Sequence, residues 1–280
     1  MTDVFQLPTN ACTSQYAEYF RLARATHAHY EDFKGLVERN RPIPYPPPVA
    51  DWFLLTSAGR AEVAFLAALR LCAYGHQDDA RVVLRTMLEC LFYIGYFLTD
   101  TQKHSEDWAK YYPIYQLNSL KKALRLGVAR SQLAPQLDTF VMNNRSAVDY
   151  FSTKKSQAEP DPLKRQYYDN WTRKNISYIA KKAGMSDDYR SFYVSFSEQV
   201  HTTFETWNGY YRTDEDGNLV GLGPMLSIEK KDVLEVVCAD CNCLLKLIET
   251  LNIHYKVDMP ASHGDLCDEL GKLWTALVSL

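Results

Sequence analysis

The sequence has no glycine-rich phosphate loop, no GxSxG elbow and no HExxH helix, which removes the commonest NTPase, hydrolase and metalloprotease readings. It has no second CxxC and no histidine pair at zinc spacing to complete Cys238-Ala-Asp-Cys241-Asn-Cys243. These thiols lie within a helical pattern and read as structural. The motifs therefore call for no metal and no cofactor. The opening MTDVFQLPTN lacks the basic and apolar regions of a signal peptide, and seven cysteines, an odd number, fit free thiols in a reducing compartment, so a cytoplasmic location is expected. Only Val82 to Leu98 approaches a membrane span. It falls short of the roughly 20 apolar residues a bilayer needs and carries Arg85 and Glu89 near its middle, so it reads as the central helix of a bundle and no membrane is expected. A net charge of -3 and a pI near 6.2 exclude a broadly basic surface, so any RNA contact must be local.

What is present is helical periodicity. The spacing predicts an all-α multi-helix bundle with a small β-hairpin or ordered loop near residues 208–221. Tyr16, Tyr19, Phe20, Ala23, His27 and Tyr30 give a first helix one aromatic face, and the proline cluster from Arg41 to Pro48 ends it. Residues 1–48 are thus expected to be a helical arm and semi-rigid spacer, 49–207 the core bundle, and 208–280 a hairpin and C-terminal helices packed on that core. Helices are expected over Asp51–Tyr74 and Asp78–Leu98, joined by Gly75-His76-Gln77, a turn short enough to force antiparallel neighbours. Others are expected at Ser105–Leu126, Ser131–Phe151, Pro162–Lys182, Ser186–Thr206, Ser227–Tyr255 and Leu266–Leu280, with Gly127 and Gly184 as C-terminal caps. Ser152–Pro162 reads as an exposed loop.

Two polar stripes are the functional lead. Arg81, Arg85, Glu89 and Tyr93 recur every four residues through an otherwise apolar helix, and Tyr189, Tyr193, Ser197 and His201 repeat that spacing downstream. Val82, Val83, Leu84, Met87, Leu88, Leu91, Phe92, Ile94 and Phe97 circle almost the whole first helix. Its charges should therefore be buried, and buried charges need partners, so the two stripes are expected to face each other as one polar centre. His201, with hydroxyls at Ser197 and Thr202, is the candidate general base or acid. A histidine satisfied by a core hydrogen bond and an Arg85–Glu89 pair that only stabilises the helix are the structural alternatives. Arg24 and His29 also match Arg-x4-His, but with this many histidines and arginines one such match is expected by chance.

ALRLCAYGHQDDARVVLRTMLECLFYIGYFL together with YRSFYVSFSEQVHTT resembles a bacterial helical family of unknown function, DUF5677-like, in which an Arg-x3-Glu helix precedes a Ser-x3-His helix. The matching positions are Arg85, Glu89, Ser197 and His201. A looser similarity is to HEPN-type bundles, many of them metal-independent endoribonucleases or members of toxin and defence systems. This resemblance implies action on RNA and, together with the aromatic-rich first helix, a homodimer whose N-terminal arm packs on a neighbour or a protein partner; Arg81, Tyr93, Tyr193 and Thr202, on or beside the two stripes, are the supporting candidates. In HEPN-type bundles arginine and histidine share one helix, whereas here Arg190 lies eleven residues before His201, so the arginine of such a site would have to be Arg85. The alternative is a non-enzymatic interaction or ligand-sensing module with a structural Arg/Glu/His cluster.

Overall fold

A computed structural model describes residues 11–126, 139–198, 211–213, 219–222 and 230–279. The described chain is an all-α bundle. Its helices are α1 (Ala11–Gln15), α2 (Ala17–Asn40), α3 (Val49–Ala73), α4 (Gln77–Leu98), α5 (Thr101–Arg125), α6 (Arg145–Phe151) and α7 (Ile176–Lys182). α8 (Ser186–Asp188) runs through a π-helical turn, Tyr189–Tyr193, into α9 (Val194–Glu198), and α10 (Lys230–Tyr255) and α11 (Ser262–Val278) follow. Two short strands, β1 (Tyr211–Thr213) and β2 (Leu219–Leu222), pair antiparallel with Tyr211 opposite Leu222. The rest of the expected 208–221 hairpin lies outside the described residues.

Two compact units form, one from Met1–Thr99 with Ile179–Leu280 and the other from Asp100–Tyr178. This division differs from the expected boundaries after residues 48 and 207, and the first unit explains why. Its centre is α10, whose Val233, Leu234, Val236, Val237, Leu244, Leu247 and Ile248 are buried, and against which α2, α3, α4 and α11 all pack. The helix expected at the centre, α4, keeps Val82 exposed and its charged stripe at the margin. Helix α2 is no free arm. Phe20, Leu22, Ala23, Thr26, Tyr30, Phe33 and Val37 recur at helical spacing and are buried, a stripe wide enough to require a partner, and α10 and α11 provide it. Arg41, at the start of the proline cluster, donates from Nη1 to the His254 carbonyl at 2.7 Å and lies over the Tyr255 ring, fastening the spacer back to the end of α10.

Helices α3 and α4 are antiparallel neighbours, as the short turn demands. Gly75, at φ 80°, closes α3: its N–H donates to the Cys72 carbonyl and that of His76 to the Leu71 carbonyl, a pattern that needs a left-handed residue. Gly184 (φ 77°) caps α7 in the same way; Gly127 lies outside the described residues. By length and hydropathy α3 is apolar enough to cross a membrane, which the α4 segment is not. Here α3 packs on α4 and α10, where its Ala58, Ala61, Ala64, Ala68 and Ala73 permit close approach.

In the second unit Ile114, Leu117, Val148, Phe151 and Tyr167 form a core between α5, α6 and the segment after α6. The helix expected over Pro162–Lys182 is present only from Ile176. Side chains divert the backbone before that point: Ser156 Oγ donates to the Gln166 carbonyl, Leu163 N–H donates to Asp161, and Thr172 N–H donates to Asn170. Such local bonds compete with the helical ladder.

Candidate functional site

The site belongs to the first unit and is built on α4 and the π turn. Helix α4 places Arg81, Arg85, Glu89 and Tyr93 on one stripe, while the π turn presents Tyr189 and Tyr193, their rings stacked 5.3 Å apart. Both rings lean on the buried Phe92, at 6.4 and 5.9 Å. A π turn bonds i to i+5, here from the Val194 N–H to the Tyr189 carbonyl, and such turns are frequent at functional sites.

Tyr193 joins the stripes. Its hydroxyl donates to Glu89 Oε1 at 2.8 Å, and its ring carries the Arg85 guanidinium, whose Cζ lies 5.1 Å from the centroid. Arg85 Nε is 3.3 Å from the same Glu89 oxygen, an ion-pair distance without hydrogen-bond alignment, so this buried nitrogen has no hydrogen-bond partner among the described residues. The two charges are not sealed in the core, contrary to the expectation from α4's apolar surroundings. Their side chains are 26% and 34% exposed, which leaves the centre open to solvent on one side. Burial works against the Arg85 charge, but the contacts with Tyr193 and Glu89 outweigh it and raise its pKa. Burial and the bond to Glu89 likewise push the Tyr193 phenol up, so it remains a hydrogen-bond donor at neutral pH.

The other expected residues divide. Arg81 stands one turn from Arg85 but is engaged elsewhere: Nη2 donates to Asp232 at 2.8 Å and to Glu235 at 3.2 Å, and Nη1 to Asp78 at 3.1 Å. It clamps α4 to α10. Sequence reasoning missed Asp232 and Glu235, whose only signal is an i, i+3 acidic pair about 150 residues away. Ser197 donates its hydroxyl to the Tyr193 carbonyl at 2.6 Å, within its own helix, and so leaves its lone pairs as acceptors. Tyr93 continues the α4 stripe and is half-buried. His201 and Thr202 lie outside the described residues.

Cys238, Cys241 and Cys243 are free, fully buried thiols inside α10, and burial raises the pKa of each. Their burial agrees with a structural role. A separate groove of about 730 Å3 opens between α8, the π turn, α10 and α11, with Lys246 bridging to Asp188 on its wall.

A helical bundle carrying a half-open Arg–Glu–Tyr centre is the class that fold and geometry define. The match to a family model makes this specific: residues 51–218 match the family of unknown function DUF5677, and the chain belongs to that family. The matched region contains Arg85, Glu89, Ser197 and His201, but neither α2 nor the central α10. No curated protein and no solved structure matches the chain.

Proposed function

We propose that the chain is a metal-independent endoribonuclease of HEPN-like type, a cytoplasmic homodimeric defence or toxin effector, acting at the centre formed by Arg85, Glu89 and Tyr193 and completed by His201. The observation that carries this reading is the Tyr193–Glu89 hydrogen bond of 2.8 Å, which joins the two stripes in a centre that solvent reaches. His201 takes the proton of a ribose 2′-hydroxyl. The 2′-oxygen then attacks phosphorus, the bond to the 5′-oxygen breaks, and that oxygen takes up a proton, leaving a 2′,3′-cyclic phosphate and a 5′-hydroxyl. Arg85, kept charged, stabilises the developing phosphorane, and Glu89 orients it. Ser197, an acceptor because its own proton is spent on the helix, orients His201.

A second reading, a ligand-sensing or purely structural cluster, is supported by the same contacts. Glu89 already accepts from Tyr193 while Arg85 rests on that ring, so the trio has a stable arrangement without substrate. Incubating the purified chain with total RNA in EDTA, beside Arg85→Ala and His201→Ala, separates the readings. Metal-free cleavage with cyclic-phosphate ends, lost in variants that melt like the wild type, is the expected result. Intact RNA with the wild type, in the presence and absence of cell extract, would give the centre to the second reading.

A further inference from the structure

A second group of reactive side chains lies away from the Arg85 centre. On α11, His263 and Cys267 stand four residues apart on one face, and Glu249 reaches them from α10. One donor atom from each of the three lies within 4.8 Å of the other two, and the imidazole Nε2 of His263 is already 3.0 Å from Glu249 Oε1. Ideal tetrahedral coordination by oxygen, nitrogen and sulfur at zinc bond lengths separates the ligands by about 3.3–3.6 Å, so small side-chain adjustments suffice. Imidazole, thiolate and carboxylate are the three donor types zinc accepts.

The surroundings of His263 suit a ligand. Its Nδ1 is 2.9 Å from Nε2 of the buried His29, whose own Nδ1 is 3.2 Å from Ser262 Oγ. This chain can carry its protons in either direction with neutral rings. In one state Ser262 donates to His29, His29 to His263, and His263 Nε2–H to Glu249. In the other, His263 Nδ1–H donates to His29 and His29 to Ser262, which frees the His263 Nε2 lone pair. A metal-ligating histidine is commonly held through its other nitrogen in this manner.

A comparable cluster in the same unit shows the opposite design. His27, Glu31 and Glu62 also converge, but Lys34 Nζ sits 2.6 Å from Glu31 and 3.1 Å from Glu62 and already supplies a cation. Among the described residues no lysine or arginine pairs with Glu249; its ion pair is with His263.

We propose that Glu249, His263 and Cys267 form a three-ligand zinc site with His29 as the positioning residue for His263. Cys267 and Glu249 also line the 730 Å3 groove, so the ion sits at its rim and the fourth coordination position is available to water or to a ligand in the groove. Such a site departs from the absence of metal expected from sequence motifs. It is independent of the RNA-cleaving reading, since none of its residues touches Arg85, Glu89 or Tyr193.

Cobalt(II) tests the site without reference to activity. The full chain, reduced and stripped with chelator, is titrated with Co2+ and then with Zn2+. One equivalent of Co2+ should give a thiolate charge-transfer band and the intense visible bands of a tetrahedral ion, both removed by Zn2+. Cys267→Ala should abolish the charge-transfer band, and His29→Ala should weaken binding about 10- to 100-fold. Glu249→Gln, at a solvent-exposed position that folding tolerates, should also weaken binding, while Glu62→Gln should leave it unchanged. Absence of the bands in the wild type at micromolar metal, or their survival in Cys267→Ala, would overturn the assignment.

Discussion

Asp240 offers the sharpest test of how the central helix is held. It lies on α10 with no exposed surface, and neither carboxylate oxygen has a hydrogen-bond partner among the described residues. Burial alone therefore raises its pKa well above the ordinary carboxyl value. The sign of the consequence is fixed: between the unfolded and folded pKa values the unfolded chain releases this proton and the folded chain retains it. The stability associated with the protonated carboxyl is fully present below the unfolded pKa and is lost as pH rises toward the folded one. Each pH unit in that window costs about 1.4 kcal/mol. Asp240→Asn keeps the shape and removes the titration. Urea unfolding of both proteins from pH 4 to pH 8 should give curves that diverge, with the variant gaining on the wild type by about 1.4 kcal/mol per unit as pH rises through the window. Parallel curves, with the variant the less stable at pH 7, would mean that the carboxyl is ionised and paired, and the reasoning would fail.

Other consequences follow from single contacts. Tyr193→Phe removes the hydroxyl that joins the π turn to Glu89 and should cost about 1 kcal/mol, a loss that largely disappears in a Glu89→Gln background if the two groups act as one pair; a double-mutant cycle by denaturant unfolding measures this. Gly95→Ala would place a Cβ 2.9 Å from the Ala183 Cβ and 3.0 Å from the Met185 Cε, so α4 must shift from the turn after α7, at a cost of about 1–3 kcal/mol in thermal unfolding. For Glu62, burial alone would raise the pKa, but contacts with His27, Glu31 and Lys34 outweigh it and lower the value to about 2. This carboxylate's contribution is present above the usual value and lost as pH falls toward 2. Allowing for partial solvent screening, Glu62→Gln should cost about 1–2 kcal/mol at pH 7 and flatten the acid limb of the stability curve; an unchanged acid limb would remove the ion-pair explanation.

The helical character of the chain was legible because it is written in local spacing. The α3–α4 hairpin followed from two apolar runs joined by the short turn Gly75-His76-Gln77. Half of the candidate centre was legible for the same reason, since Arg85 and Glu89 on one face and Tyr193 on another follow from a period of 3.6. Local spacing failed where side chains bond to nearby backbone, as between Pro162 and Asn175, and it could not anticipate the π turn that sets the two tyrosine rings against Phe92.

The sequence by itself determined most of the long helices and their apolar faces, because both depend on neighbours three and four positions away. It could not rank the apolar helices: α10 is buried along most of its length among α2, α3, α4 and α11, whereas α4 keeps Val82 and its Arg85–Glu89 stripe at the margin, because burial depends on where a helix's neighbours lie and not on its own composition. Folding also decided the use of each charge. Arg81 and Arg85 look alike along the chain, yet one is clamped by Asp232 and Glu235 and the other rests on Tyr193 beside Glu89. Convergence of His29, Glu249, His263 and Cys267 was likewise invisible in sequence, because His29 lies more than 200 residues from the others and only the packing of α2, α10 and α11 brings them together.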